Sequence, residues 1–339
     1  MPEGKAARWT LARAPLGLPR TSNFNLETFV PASPAPGQVL VRVRYHTVAP
    51  GVLAKIAGTT YAARVRTGEV IPGYGVGTVE ESAADNLASG DIVVGELGWA
   101  THVTIDSARV EKLEATMFEN PRIPLSAAVG LLGASGLAAY FGLLRVGGAI
   151  PGEEVLVSSA SGAVGSAVGQ FGNALGCSMT GIAGTAEKCA DLLTHGGYRR
   201  AVAHASVNFA GALSEALPGG ANLYFDNVGG AISALAFASL ALHGRVVVCG
   251  QTSSYGGGDA PGLGAMTTII TRRLTLRGFV VHDYVSEFSA ARRRIAGWLQ
   301  EGLVRDLSVV SHGIQNAAAM FVRQFNGSAP RCVIRATLA

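Results

Sequence analysis

Cysteine is scarce and comes late. The four are Cys177, Cys189, Cys249 and Cys332, and no two are spaced as a zinc knuckle or a redox C-x-x-C pair. That excludes a disulfide-stapled scaffold and predicts small buried hydrophobes in a reducing, cytoplasmic compartment. Charge is also scarce: Asp, Glu, Lys and Arg make up 15% of the 339 residues against 48% apolar, the reverse of a disordered chain. Aromatics are few, at 7%, and no basic stripe or aromatic-basic motif is present. The densest positive run, "ARRRIAGW" from Ala291 to Trp298, reads as the solvated face of a helix, so no nucleic-acid partner is expected. The start, "MPEGKAARWTLARAP", lacks the apolar core of a signal peptide. One uncharged run, Leu125 to Leu144 ("LSAAVGLLGASGLAAYFGLL"), has the length of a membrane span. It stands alone, is rich in Ala and Gly and lacks a basic flank; a buried helix pair broken at "GASG" is expected, and no membrane partner.

What is abundant is glycine, 45 residues, with turns and close backbone packing to match. The length points to two domains. Residues 1 to about 120 read as short strands: "GQVLVRVRYHTV", "GYGVGTVEES", "GDIVVGEL" and "ATHVTID", separated by Gly or Asp turns. From Val155 the pattern changes to strand, helix, strand, as in "EVLVSSA", "SMTGIAG", "AVAHA", "NLYFDNVGG", "RVVVCG" and "LTLRGFVV". Such alternation predicts a parallel sheet covered on both faces. The helix after "NLYFDNVGG" is expected to run on through "LALHG", and the last helix of the chain from about Ser286 to Glu301. The tail "PRCVIRATLA" reads as a strand returning to the first domain.

The stretch "VLVSSASGAVG" ends the first strand of the alternating part and opens a helix. Against the pattern G-x-G-x-x-G its first position is Ala160, and Gly162 and Gly165 fill the others. In such a turn Gly162 lets backbone N–H groups approach a pyrophosphate, and Gly165 lets the helix lie against the strand. The tip of the next strand is Ala183, Gly184 and Thr185, with no acid to accept a ribose 2′-hydroxyl. Glu187 comes late, on the helix, and Lys188 follows it. A neutral tip with a lysine fits a 2′-phosphate, which predicts NADPH rather than NADH.

With these residues in place, the chain resembles the zinc-free medium-chain dehydrogenase/reductase superfamily, in the branch of prostaglandin reductases and alkenal double-bond reductases. The resemblance is carried in order by "VLVSSASGAVGSAVGQFGNALGC", "GIAGTAEKC", "YFDNVGG", "GRVVVCGQTSSY" and "LTLRGFVVHDY". It implies an α/β fold: a GroES-like β-rich catalytic domain over 1–123, with 302–339 returning to it, and a Rossmann doubly wound parallel sheet binding NADPH over 124–301. A homodimer joined through the last Rossmann strands is implied as well. The cofactor-binding candidates are Ser161, Gly162, Ala163, Val164, Gly165, Gly184, Lys188, His204, Asn227, Cys249, Gly250, Phe279 and Val280. His204 stands where a tyrosine often joins the lysine at the 2′-phosphate. Tyr255 is the candidate catalytic phenol, and the loop from Gly256 to Gly264 a candidate lid. No metal is expected: where zinc alcohol dehydrogenases have "GHE", this chain has Tyr74 and Gly75, and it has no early cysteine.

The implied reaction is reduction of a carbon–carbon double bond conjugated to a carbonyl, on a small-molecule enone. The sequence departs from the branch at several positions. Gly51 and Leu53 replace a tyrosine and an arginine, predicting a larger, less polar pocket wall for a bulky apolar substrate, with Lys55 restoring some charge. Ala138 and Ala329 replace a threonine and an asparagine expected near the nicotinamide. These changes leave a second reading open, a scaffold repurposed as a non-redox tailoring enzyme (a cyclase or isomerase). A third is a quinone-reductase-like binding protein without catalysis.

Overall fold

Alternating side chains over Gln38–Thr47 dictate a half-buried strand, and one forms: Val39, Val41 and Val43 are buried while Arg42 and Arg44 face solvent. The computed structural model describes residues 6–58, 63–254, 266–325 and 331–337. In chain order, β1 (Ala6–Leu11), β2 (Phe24–Phe29), β3 (Gln38–Thr47), α1 (Val52–Ala57), β4 (Tyr74–Ser82), β5 (Ile92–Glu96), β6 (His102–Asp106) and β7 (Val110–Leu113) come first. Then α2 (Ala134–Phe141), β8 (Glu154–Val157), α3 (Ala163–Ala174), β9 (Ser178–Ala183), α4 (Ala186–His195), β10 (Arg200–Ala203), α5 (Phe209–Ala216) and β11 (Ala221–Asp226) alternate. They are followed by α6 (Gly230–Ala238), β12 (Leu240–Val248), α7 (Met266–Arg272), β13 (Thr275–Gly278) and α8 (Phe288–Glu301). Last are β14 (Val309–His312), α9 (Ala317–Phe325) and β15 (Cys332–Arg335).

The chain divides into two units, 1–133 with 308–339, and 134–307. The sequence drew these lines at 123/124 and 301/302. In the first unit, β14-β15-β3-β4-β5-β7 form one sheet, with β6 also paired to β3. The tail does return here: β15 lies antiparallel on β3, Ile334 opposite His46. Valines from β3, β4 and β5 and Leu97 and Ile105 fill one core. In the second unit six strands run in the order β10-β9-β8-β11-β12-β13, every neighbouring pair parallel. The central β8 is buried throughout at Val155, Leu156 and Val157, as a strand covered on both faces must be.

Four expectations need correction. "LALHG" does not continue a helix; α6 stops at Ala238 and Leu240 opens β12. The register against β11 slips there and His243 takes φ +63°, because pairing along β11 wins over the helical leaning of Leu and Ala. The run Leu125–Leu144 holds only a short 3-10 turn at Leu125–Ala128 before α2, which ends in a π turn over Gly142–Val146. Among the described residues no helix is long and apolar enough to cross a membrane. A further helix, α9, follows the one expected to be last. Leu53 is fully buried, so it packs in the core rather than forming a pocket wall.

His46 sits in the first unit's core, fully buried and stacked on Trp99 at 6.2 Å. Its Nδ1 lies 3.2 Å from the Thr47 carbonyl, which only accepts, so Nδ1 carries the proton. Nε2 is buried without a partner. A second proton would place a charge in an apolar site, and burial holds the pKa down to about 4, opposed in part by the Thr47 bond. Above about pH 6.5 the unfolded histidine is neutral too, and no difference arises. As pH falls toward 4, the unfolded chain takes up a proton that the folded chain refuses. Stability should drop by about 3 kcal/mol from this group over that window. Urea unfolding of wild type and His46→Gln from pH 7 to 4 checks this: the variant should lose less stability, and parallel curves would refute it.

Candidate dinucleotide site

The glycine turn lies where β8 passes into α3. Ser159 adopts φ +49°, and the Gly162 N–H closes the turn onto the Ser159 carbonyl at 2.9 Å. Gly162 is the N-cap of α3 and brings no side chain to its first N–H groups, and the first turn holds no acid. Ala163, Val164 and Gly165 therefore present backbone donors at a positive helix end, the ordinary setting for an anion. A β-carbon on Gly165 would sit 2.3 Å from the Ser159 carbonyl oxygen, so only glycine lets α3 approach this closely. The next glycine, Gly169, does a different job: its β-carbon would strike Tyr198 at 2.2 Å. Tyr198 in turn donates to the Gly165 carbonyl at 2.6 Å, fixing the helix start from behind.

The turn is held from the other side by a buried carboxylate. Asp226, at the end of β11, accepts at Oδ1 from Ser158 Oγ (3.0 Å), Tyr224 OH (2.9 Å) and the backbone N–H groups of Val228 and Gly229. Its Oδ2 accepts from Ser233 Oγ at 2.5 Å. Asn227 completes the link: its N–H donates to Ser158 Oγ and its Nδ2 to the Ser158 carbonyl, at 2.9 and 2.8 Å. The N–H groups of Cys249 and Gly250 donate to the Asp226 carbonyl. Burial, then the charge of Asp226, push the Cys249 thiol up to about 12, so it stays protonated. Burial and the same charge hold the Tyr224 phenol well above its ordinary value, keeping it a donor.

Thus the turn from Ser161 to Gly165 is joined to Asn227, Cys249 and Gly250 at the carboxyl ends of β8, β11 and β12. In the strand order this lies where the sheet reverses direction, between β8 and β11, the crevice that such sheets use for ligands. At the tips of β9 and β10 a second cluster forms. A β-carbon on Gly184 would lie 3.7 Å from His204 Nε2 and 4.0 Å from Lys188 Nζ. Thr185 caps α4 by accepting from the Lys188 N–H. Glu187, fully exposed, is turned to Thr185, whose hydroxyl holds its carboxyl below the usual range, helped by its own N–H. Phe279 and Val280 follow the carboxyl end of β13, the Phe279 ring beside Gly142 and Phe225. Ala138 is half-buried on α2. In the first unit Lys55 pairs with Glu96 at 3.1 Å, and Gly51 has open space around it. Tyr255, Ala329 and the loop from Gly256 to Gly264 lie outside the described residues.

Two residues in this site escaped the sequence reading, Ser158 and Asp226. The signal for them was a polar residue closing each of two apolar runs, "VLV" and "LYF".

The chain is 38% identical to prostaglandin reductase 1 of Bos taurus over 328 residues, covering 95% of this chain and 96% of that protein. It belongs to the medium-chain dehydrogenase/reductase superfamily. Within it, the match falls in the prostaglandin reductase and alkenal reductase branch. Two family descriptions cover most of the chain: "N-terminal domain of oxidoreductase" over residues 7–113 and "Zinc-binding dehydrogenase" over 163–297. The NADPH-dependent curcumin reductase of Escherichia coli is 33% identical, covering 94% of this chain and 93% of its own. The crystal structure of CurA in complex with NADPH from Vibrio vulnificus superposes with a TM-score of 0.89 at 28% identity, over 98% of this chain and all of that one. Among the described residues of this superfamily member, no group of three or more His, Cys, Asp and Glu could hold a metal ion.

The Ser158 hydroxyl both donates to Asp226 and accepts from Asn227, so Ser158→Ala strands a buried N–H and removes a donor to a charge. Folding stability should fall by about 1–3 kcal/mol. A urea midpoint equal to that of wild type would show that the bridge contributes nothing.

Proposed function

We propose that this reductase carries out NADPH-dependent reduction of a carbon–carbon double bond conjugated to a carbonyl. The observation that carries the reading is the basic pair Lys188 and His204 flanking Gly184, beside a helix start whose cap brings no side chain to its first N–H groups, with Glu187 turned to Thr185. A ribose 2′-phosphate suits that pair, and a bare 2′-hydroxyl finds no carboxylate there. The relatives fit the same chemistry: one is named prostaglandin reductase 1, another NADPH-dependent curcumin reductase, and CurA was solved with NADPH. These relatives do not favour the non-redox alternative.

In this reading residues 134–307 bind the cofactor and the first unit supplies the catalytic domain. Gly162 to Gly165 receive the pyrophosphate on backbone N–H groups, and Asn227, Cys249 and Gly250 border the same crevice. The chemistry the cofactor supplies when bound is hydride for the β-carbon of the enone. The residues of this chain orient and neutralise: Lys188 and His204 hold the phosphate end, and Asp226 keeps the turn from drifting. Zinc has no part in it, because Tyr74 and Gly75 offer no imidazole or carboxylate where a zinc dehydrogenase has both.

We further propose a homodimer formed along β13. Among the described residues this strand ends the six-stranded sheet with an unpaired edge, and Leu242 on the neighbouring β12 and Ile270 on α7, which precedes β13, are 55% and 70% exposed. Light scattering should give twice the chain mass; a monomer at micromolar concentration would refute it.

Lys188→Ala removes a charged partner worth about 1.5–3 kcal/mol. The KM for NADPH should rise about tenfold or more while that for NADH changes little. Equal changes for the two cofactors would overturn the assignment of the 2′-phosphate.

A further inference from the structure

A second concentration of positive charge lies in the other unit, away from any glycine turn. Along one edge β3 changes partner. Residues 38–42 pair with β6, ending at Arg42 opposite His102, and residues 45–47 pair with β15, starting at Tyr45 opposite Arg335. Between them the Val43 N–H donates to the Thr101 carbonyl, and the Arg44 carbonyl accepts from Ala336. A cleft of about 440 Å³ opens at this junction, lined by Arg42, Arg44, His102 and Arg335.

Three guanidinium groups thus share one small cleft. One carboxylate answers them: Glu80 lies 3.9 Å from Arg42 and 3.4 Å from His102 Nε2. Among the described residues neither Arg44 nor Arg335 has a hydrogen-bond or ion-pair partner for its guanidinium. Three arginines against one glutamate leave an excess of two positive charges, in a chain where charged residues are only 15%. Like charges gathered without counter-ions repel, so the arrangement costs stability unless something anionic shares the cleft. Arginine forks match the oxygens of phosphate in pairs.

The rest of the lining narrows the choice. The volume lies within the usual range for small-molecule sites. No Phe, Tyr or Trp is among the residues that line the cleft, so the large aromatic platform of single-strand nucleic-acid sites is missing. The Val43 N–H and the Arg44 carbonyl are already paired, with Thr101 and Ala336, so this edge of β3 is occupied on both sides of the junction and does not invite an added peptide strand. Thr101 is taken as well, its hydroxyl accepting from the Ala7 N–H at 2.9 Å. What remains is charge, space and arginine geometry.

We propose that the cleft between β6 and β15 is a binding site for a small molecule carrying two or more phosphate groups, separate from the dinucleotide turn. It does not depend on the redox reading, since none of its residues belongs to that site. Pyrophosphate is the simplest probe. Calorimetric titration at low ionic strength should show saturable binding to the wild-type chain. In the variant R44Q/R335Q that binding should weaken about tenfold or more, a loss comparable to one charge-assisted bond. R44K/R335K, which keeps the charges and loses the forks, should fall between. Absence of saturable binding in wild type would overturn the proposal. So would binding that R44Q/R335Q leaves unchanged, because it would belong elsewhere, on the turn for instance. If the double variant fails to fold, the exposed Arg44→Gln alone gives the same comparison.

Discussion

The buried carboxylate of Asp226 is the constraint on which the second unit turns. A charge in an apolar interior is tolerated only where hydrogen bonds replace water. Here five donors do so: three hydroxyls and two backbone N–H groups. Each donor belongs to an element that would otherwise be free to shift. Ser158 ends β8, Tyr224 lies on β11, Ser233 is on α6, and Val228 and Gly229 form the loop between β11 and α6. The carboxylate therefore fixes the spacing of two central strands at the point where the sheet reverses. A ligand crevice needs that fixity, because a phosphate held by backbone N–H groups tolerates little movement of the turn that presents them.

The glycines of α3 serve two ends at once, and the structure separates them. Gly162 opens the helix without a capping side chain and so leaves its donors to a ligand. Gly165 and Gly169 instead allow contact, against the turn and against Tyr198. The motif thus leaves helix donors open at its first glycine and serves packing at the others. Tyr198 joins the two roles, since the ring that Gly169 makes room for donates to Gly165.

Much of this was legible in advance. Apolar runs such as "VLV" and "LYF" mark central parallel strands because both faces of such a strand are buried. The alternation in β3 marks a strand with one wet face by the same logic. What stayed hidden depends on long-range contact. β1 and β2 pair across an irregular stretch that carries no strand pattern of its own. "LALHG" has helical residues but lies beside β11, and the sheet decides its form. Leu53 reads as a pocket wall by position and proves to be core. Asp226 is one acid among 23 acidic residues, and only burial distinguishes it. The basic pair at Gly184 was half visible: Lys188 followed from the missing acid, whereas the nearness of His204 requires β9 and β10 to be neighbours.

A chain this poor in charge makes each cluster of charge informative. Several ionic side chains here are matched singly, as Arg245 is by Glu153 and Arg200 by Glu154. Such pairs stabilise little and imply little. The departures are of two kinds. Asp226 is a negative charge compensated by neutral dipoles, which orient and do not titrate near neutral pH. The arginines beside β6 and β15 are positive charges that, among the described residues, have one acid between them, and neither Arg44 nor Arg335 is met by the kind of backbone carbonyl that accepts from Arg245. The first arrangement is complete within the protein. The second leaves donors open that the oxygens of an anion would fill, and that asymmetry is what sets the proposed binding charge apart from a structural one.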